Sequence, residues 1–171
     1  SVYETAEITR ALKELQNEMK IPIYASMESQ AASGGYYIAA NSDRIFATED
    51  TMTGSIGGII SSMNYSGPVE KLGIDDATIK SGALKDIGSG SRPQTKEDKE
   101  VLQAFVDSMY GRFVKVVADG RKMNEADVRK LADGRIYDGA QALENGLVDH
   151  IGYPDQALKA LRKDNGLNDA K

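Results

Sequence analysis

Ser33 stands in the stretch Gln30-Ala31-Ala32-Ser33-Gly34-Gly35-Tyr36-Tyr37, after the apolar run Ile21-Pro22-Ile23-Tyr24-Ala25-Ser26 and before Ile38-Ala39-Ala40. The pattern predicts a strand that turns into a helix at the serine. Such a junction suits a nucleophile, because the first amides of a helix have no partner within it, carry the positive end of its dipole and can meet a developing oxyanion. Gly34 and Gly35 admit a substrate backbone, and the alanines leave Ser33 uncrowded. The same residues also fit a plain N-cap serine followed by a glycine pair, so the rest of the chain has to decide.

A serine oxygen attacks only when something takes its proton. The single histidine, His150, lies in Leu147-Val148-Asp149-His150-Ile151-Gly152 and reads as an exposed residue at the end of a strand. With one histidine and no cysteine, the chain can build neither a multi-histidine zinc site nor a thiolate one, and no metal or cofactor is expected. Lysine is the remaining common partner for serine, and it serves as a base only when burial lowers its pKa far enough to make it neutral. Most lysines here lie on polar helix faces. Lys80 and Lys85 differ, since they lie beside and on a glycine-rich loop that follows a strand, and spacing does not choose between them.

The composition narrows the classes further. The chain of 171 residues is 40% hydrophobic and 27% charged, which suits one globular domain. A net charge of -5 without any Lys/Arg cluster argues against nucleic acid as a partner. No apolar run approaches the roughly 18 residues of a membrane span and no signal peptide opens the chain, so as given it reads as soluble.

The elements that must position these residues follow from pattern. Ser1-Val2-Tyr3-Glu4 has capping-box form, and Val2, Ala6, Ile8, Leu12, Leu15 and Met19 recur at helical spacing. A strand, the Ser33 turn and a short helix to about Asn41 come next, then a strand over 43–48 and a turn-rich stretch over 49–58. A short helix around Val69 to Leu72, a strand at Asp76 to Lys80 and a long loop over 81–93 follow. The longest helix is expected from Thr95 to Ala118, with Leu102, Phe105, Val106, Met109, Phe113, Val116 and Val117 along one face. Asn124 caps another helix. Beyond Asp133 come a strand, a short helix stopped by a glycine and a strand, then a helix from Pro154 to about Lys163 and a frayed tail over 164–171. Alternating strands and helices imply an α/β fold with a mainly parallel sheet.

The segment Ala31-Ala32-Ser33-Gly34-Gly35-Tyr36-Tyr37 resembles the nucleophile motif of the signal peptide peptidase A family, serine peptidases with a Ser/Lys dyad on a crotonase-like, ClpP-like fold of repeated β-β-α units. Three further blocks match in order: Thr53-Gly54-Ser55-Ile56-Gly57, then Ile79 to Gly88, then Asp133-Gly134-Arg135-Ile136-Tyr137 through Gly146-Leu147-Val148-Asp149. The likeness covers nearly the whole chain and is greatest to the single-repeat form of Bacillus-type bacteria. It implies Ser33 as nucleophile, Lys85 as general base, Ser55 as a hydrogen-bonding support for the lysine and the Gly34 amide as an oxyanion donor. Peptide substrates, remnant signal peptides among them, are implied as well, and so is a homo-oligomeric ring that shares the dyad between neighbouring subunits.

In the family a Gly-Gly pair of the oxyanion hole precedes the helix that begins here at Ser1, with further strands and a membrane anchor before it. The chain is therefore expected to be an N-terminally truncated catalytic fragment spanning residues 1–171. The resemblance places the longer protein at the cell membrane, with this region outside the cytoplasm. Two alternatives stand beside the peptidase: a crotonase-like acyl-CoA hydratase or isomerase, which the Gly139 to Asp149 block also resembles, and an inactive oligomerisation scaffold.

Overall fold

The computed structural model describes residues 2–167, and the calls on Ser1 and on residues 168–171 lie outside them. The chain divides into two compact units, one formed by 1–57 with 110–171 and the other by 58–109.

The first unit follows the sequence pattern closely. Helix α1 (Val2–Glu18) leads to strand β1 (Tyr24–Met27), strand β2 (Gln30–Ala32) and helix α2 (Gly34–Ala39), and then to β3 (Arg44–Ala47) and β4 (Met52–Gly54). The two successive strand pairs give the repeated β-β-α logic its form, with the first strand of each pair in one sheet and the second in another. β1 pairs in parallel with β3, Ala25 opposite Ile45, and β3 with β6 (His150–Ile151), giving the order β1-β3-β6. β2 pairs in parallel with β4, Ala31 opposite Thr53, and β4 runs antiparallel to β5 (Ile136–Tyr137). The expected single, mainly parallel sheet is thus two short sheets with one antiparallel pair.

Between these strands the chain buries Tyr36, Ile45, Ile56, Val114, Val117, Val128 and Leu147. Val114 and Val117 come from the C-terminal end of α4 (Lys96–Arg121), and Val128 from α5 (Glu125–Leu131), whose cap Asn124 accepts the Asp127 amide as the sequence predicts. α6 (Gly139–Glu144) starts on a reciprocal Asp138/Gln141 capping box. The final helix α7 runs Pro154–Asp164, and its last residue is not frayed: the Asp164 carboxylate accepts the Tyr24 hydroxyl at 2.6 Å.

Helix α1 departs from its pattern. Its apolar stripe predicts a core face, yet Thr9 is its only buried residue among those described, and Val2, Ile8 and Leu15 are exposed.

The second unit contains α3 (Ser66–Lys71) and the beginning of α4. The strand expected at Asp76 to Lys80 does not form, and Ile79 is 99% exposed. A strand exists by pairing, and no partner strand lies beside this segment among the described residues. Among the described residues this unit buries no apolar side chain; its buried side chain is that of Asp98. No helix of the described residues is long and apolar enough to cross a membrane.

Backbone closeness in the first unit sets a test. A Cβ on Gly139 would lie 1.9 Å from the Thr48 carbonyl oxygen, whereas one on Gly111, within α4, would meet nothing within 4 Å. Gly139→Ala should lower the stability read from the urea midpoint by about 1–3 kcal/mol, and Gly111→Ala should raise it by about 0.5–1 kcal/mol.

Candidate active site

Ser33 sits where β2 ends and α2 begins, with φ 52° and ψ -116°. A residue with a Cβ adopts this backbone at a cost of about 1–3 kcal/mol and keeps it only where the surroundings enforce it. Two bonds enforce it here: the Ser33 amide donates to the Gly54 carbonyl at 2.8 Å, and the Ser33 carbonyl accepts the Tyr37 amide at 2.9 Å. The first ties the turn to β4 and the second opens α2. Ser33 occupies the N-cap position of α2, but its side chain is exposed and makes no capping bond to the helix, so the hydroxyl is not spent as a cap. Gly34 follows at the first helical position, so its amide has no intrahelical acceptor. A Cβ there would press on the Thr5 hydroxyl of α1 at 3.1 Å.

Tyr36 fixes α2 from beneath. Its ring is fully buried and its hydroxyl donates to the Leu147 carbonyl at 2.8 Å. The sequence reading quoted Tyr36 as part of the serine motif but gave it no role; its separation from Leu147 hides the link. Asp149, in the same block, accepts the Ile45 amide at 2.7 Å and the Arg121 guanidinium. Burial pushes the Asp149 carboxyl up, and those donors outweigh it and hold it below its usual value.

Ser55 lies beside Ser33 at the C-terminal ends of parallel strands, the edge where α/β sheets bind ligands. Ala32 is opposite Gly54 in the register, so Ser33 and Ser55 each follow a member of that pair. Ser55 also has positive φ, 49°, and its amide donates to the Arg135 carbonyl at 2.8 Å. The preceding residue has to be glycine: Gly54 has φ 78°, and a Cβ would stand 2.6 Å from the Tyr137 ring. The Thr53-Gly54-Ser55 and Arg135-Ile136-Tyr137 blocks therefore belong to one piece of backbone.

Lys85 lies in the other unit, in the turn-rich stretch after Ser81, and is exposed. Its amide donates to the Gly82 carbonyl at 3.1 Å. The two candidate lysines are used differently. Lys80 Nζ donates to Asp86 Oδ2 at 2.8 Å and to the Ala83 carbonyl at 3.2 Å, whereas the Lys85 ammonium has no hydrogen bond or ion pair among the described residues. Arg92 Nε and Nη2 grip both Asp86 oxygens at 2.9 and 2.8 Å, and the same guanidinium binds Asp98. Asp98 Oδ2 also accepts the Thr95 amide at 2.9 Å, the first cap of α4. Sequence reasoning missed Arg92 and Asp98; the Thr95-x-x-Asp98 box was the available signal.

His150 is half-buried rather than exposed. Its ring lies 4.8 Å from that of Phe46 and its Nε2 is 3.4 Å from Arg44 Nη1, within the β1-β3-β6 sheet.

The model of peptidase family S49 matches residues 15–168. The chain belongs to that family. It is 57% identical over 169 residues to "Putative signal peptide peptidase SppA" of Enterococcus faecium, covering 99% of this chain and 49% of that protein. To "Protease 4" of Haemophilus influenzae it is 35% identical over 155 residues, 90% of this chain and 25% of that one. The S49 chain spans about half the length of the curated relatives that match it best among these. Among solved structures, an enoyl-CoA hydratase/isomerase family protein from Hyphomonas neptunium is 22% identical over 93% of this chain and 43% of that one, with a TM-score of 0.43. The α/β class rests on the chain's own strand pairings.

Two predictions follow from the geometry of this S49 chain. Ser33→Gly relieves the strained turn and should raise the urea midpoint, by the equivalent of about 1 kcal/mol. In the second unit, hydrogen bonds from Arg92 hold both Asp86 and Asp98 well below the usual carboxylate range. Both groups then bind protons more weakly folded than unfolded, so the stability they confer is complete above about pH 4 and is lost as pH falls below it. Hydrogen exchange across residues 81–98 should stay constant from neutral pH down to that point, after correction for intrinsic rates, and accelerate beyond it.

Proposed function

We propose that this chain carries the catalytic residues of a serine endopeptidase with a Ser/Lys dyad, Ser33 as nucleophile and Lys85 as general base. The observation that carries the proposal is the Ser33 turn: a strained serine with an exposed, uncapped hydroxyl at a strand-to-helix junction, the arrangement by which nucleophilic serines are presented. The division of labour between the lysines supports it, since Lys80 is occupied by Asp86 and Lys85 is left available. Family S49 membership favours the peptidase over an acyl-CoA enzyme.

In this mechanism neutral Lys85 takes the Ser33 proton as Oγ attacks a peptide carbonyl. The Gly34 amide donates to the oxyanion, and Ser55 holds the amine toward the nucleophile. Lys85 then passes its proton to the leaving amine as the C–N bond breaks, which leaves an acyl-enzyme. A water molecule attacks that ester, gives its proton through Lys85 to Ser33 Oγ and releases the carboxylic product. The substrates are remnant signal peptides and other small or unfolded peptides.

The active form is a homo-oligomeric ring in which Ser33 of one subunit works with Lys85 of its neighbour. The second unit's uncovered apolar side chains, Ile59, Met63, Leu72 and Phe105 among them, support such a partner. The longer protein is held at the membrane by a segment outside these residues, with this region on the extracytoplasmic side.

The test is intact-mass analysis after treatment with a fluorophosphonate, in which Ser33 Oγ displaces fluoride at phosphorus. It is run on this chain and on a polypeptide extended N-terminally through the family's Gly-Gly pair. A single adduct at Ser33 is expected, absent from Ser33→Ala and from Lys85→Ala. Rings assembled from equal amounts of those two variants should regain about a quarter of the wild-type labelling, all of it on the Lys85→Ala subunits. A folded, assembled protein that does not label at Ser33 would leave the scaffold reading in its place.

A further inference from the structure

A lysine that serves as a base has to give up its proton, and a bare carboxylate nearby opposes this by favouring the ammonium form. Lys85 is followed directly by such a carboxylate. Asp86 nevertheless makes no ion pair with Lys85; its two oxygens take three charge-assisted bonds, from Arg92 Nε, Arg92 Nη2 and Lys80 Nζ. Arg92 is balanced in turn by Asp98, whose side chain is fully buried. Lys80, Asp86, Arg92 and Asp98 therefore form a neutral quartet. Two further acids, Asp75 and Asp76, precede this loop, and Asp76 accepts the Thr78 and Ser91 hydroxyls.

The quartet also fixes the backbone from which Lys85 projects. The Ser89 amide donates to the Asp86 carbonyl at 2.9 Å and the Ile87 amide to the Leu84 carbonyl at 3.1 Å, so the turn around Lys85 is closed on both sides. Asp98 and Thr95 exchange bonds at the start of α4, which joins the turn to the helix through Arg92. In a unit without a buried apolar side chain among the described residues, these ionic bonds hold the loop.

We infer that Arg92 and Lys80 are positioning residues for Lys85: by neutralising and tethering the Asp86 carboxylate beside it, they leave Lys85 as an amine able to lose its proton. The inference rests on the reading of Lys85 as general base and adds a role to residues that touch neither substrate nor nucleophile. It also accounts for the two lysines around the loop, one spent on Asp86 so that the other is not.

The experiment is the pH dependence of the rate at which the fluorophosphonate labels Ser33 in the assembled, N-terminally extended protein. The variants are Arg92→Gln, Lys80→Gln, Arg92→Lys and the double variant Lys80→Gln with Asp86→Asn. In the wild type the rate rises with pH along a limb that Lys85→Ala abolishes; if Lys85→Ala keeps that limb, Lys85 is not the base and the underlying reading fails. Given that limb, Lys80→Gln and Arg92→Gln should each move it to higher pH by about one unit. Labelling then falls about tenfold on the rising limb and recovers at higher pH.

Arg92→Lys keeps the charge and should keep the limb near its wild-type position with a lower plateau. Replacing the Asp86 carboxylate by an amide in the double variant should return the limb to the wild-type pH. Lys80→Gln leaves the Arg92 and Asp98 pair intact, so it decides the matter even if Arg92→Gln does not fold. A rate lowered by one factor at every pH, with the limb unmoved in Lys80→Gln, would overturn the inference and make the quartet scaffolding alone.

Discussion

The hydrogen bond from the Ser33 amide to the Gly54 carbonyl is the constraint on which the arrangement of the first unit depends. It holds a serine in a backbone conformation that serine avoids and, in the same stroke, sets β2 beside β4, so that Ser33 and Ser55 emerge side by side. Neither strand is long enough to do this through its ladder alone. The cost of the turn is offset by what surrounds it: the buried Tyr36 ring, the α2 backbone bond to the Ser33 carbonyl and the close packing of Gly54 on Tyr137. Exposed serine and rigid support are two sides of one construction.

The second unit is built on another principle. Where the first unit excludes water from aliphatic and aromatic side chains, residues 58–109 are ordered by charge, with a guanidinium between two carboxylates and a lysine at the rim. Ionic order of this kind is directional. It places a turn well, but it contributes less per residue than a packed core, because each charge gives up hydration to enter it.

Much of this was legible in the sequence, for physical reasons that also mark where it failed. The strand, turn and helix around Ser33 could be read because small residues and glycines leave few conformations open, and the cap at Asn124 because its bond is local. Burial of α1 could not be read: the stripe from Val2 to Met19 records a face suited to contact, and does not say whether the contact lies within these residues. The Asp76 to Lys80 segment failed similarly, since extended propensity makes a strand only beside another strand. Asp86, Arg92 and Asp98 went unread because they stand six residues apart, a spacing that belongs to neither helix nor strand. The roles proposed for Ser33, Lys85, Ser55 and Gly34 came from resemblance; physical chemistry alone narrowed the candidate base to two lysines.

The bond between the Tyr36 hydroxyl and the Leu147 carbonyl bridges 111 residues, and the Ser55 amide likewise needs Arg135. Translation is vectorial, so the serine emerges from the ribosome long before the segments that brace its turn. At the usual pace of synthesis that interval is roughly 5–20 s. A nascent chain therefore displays the serine before it has the geometry, and the turn around Ser33 is braced only once Arg135 and Leu147 have been made.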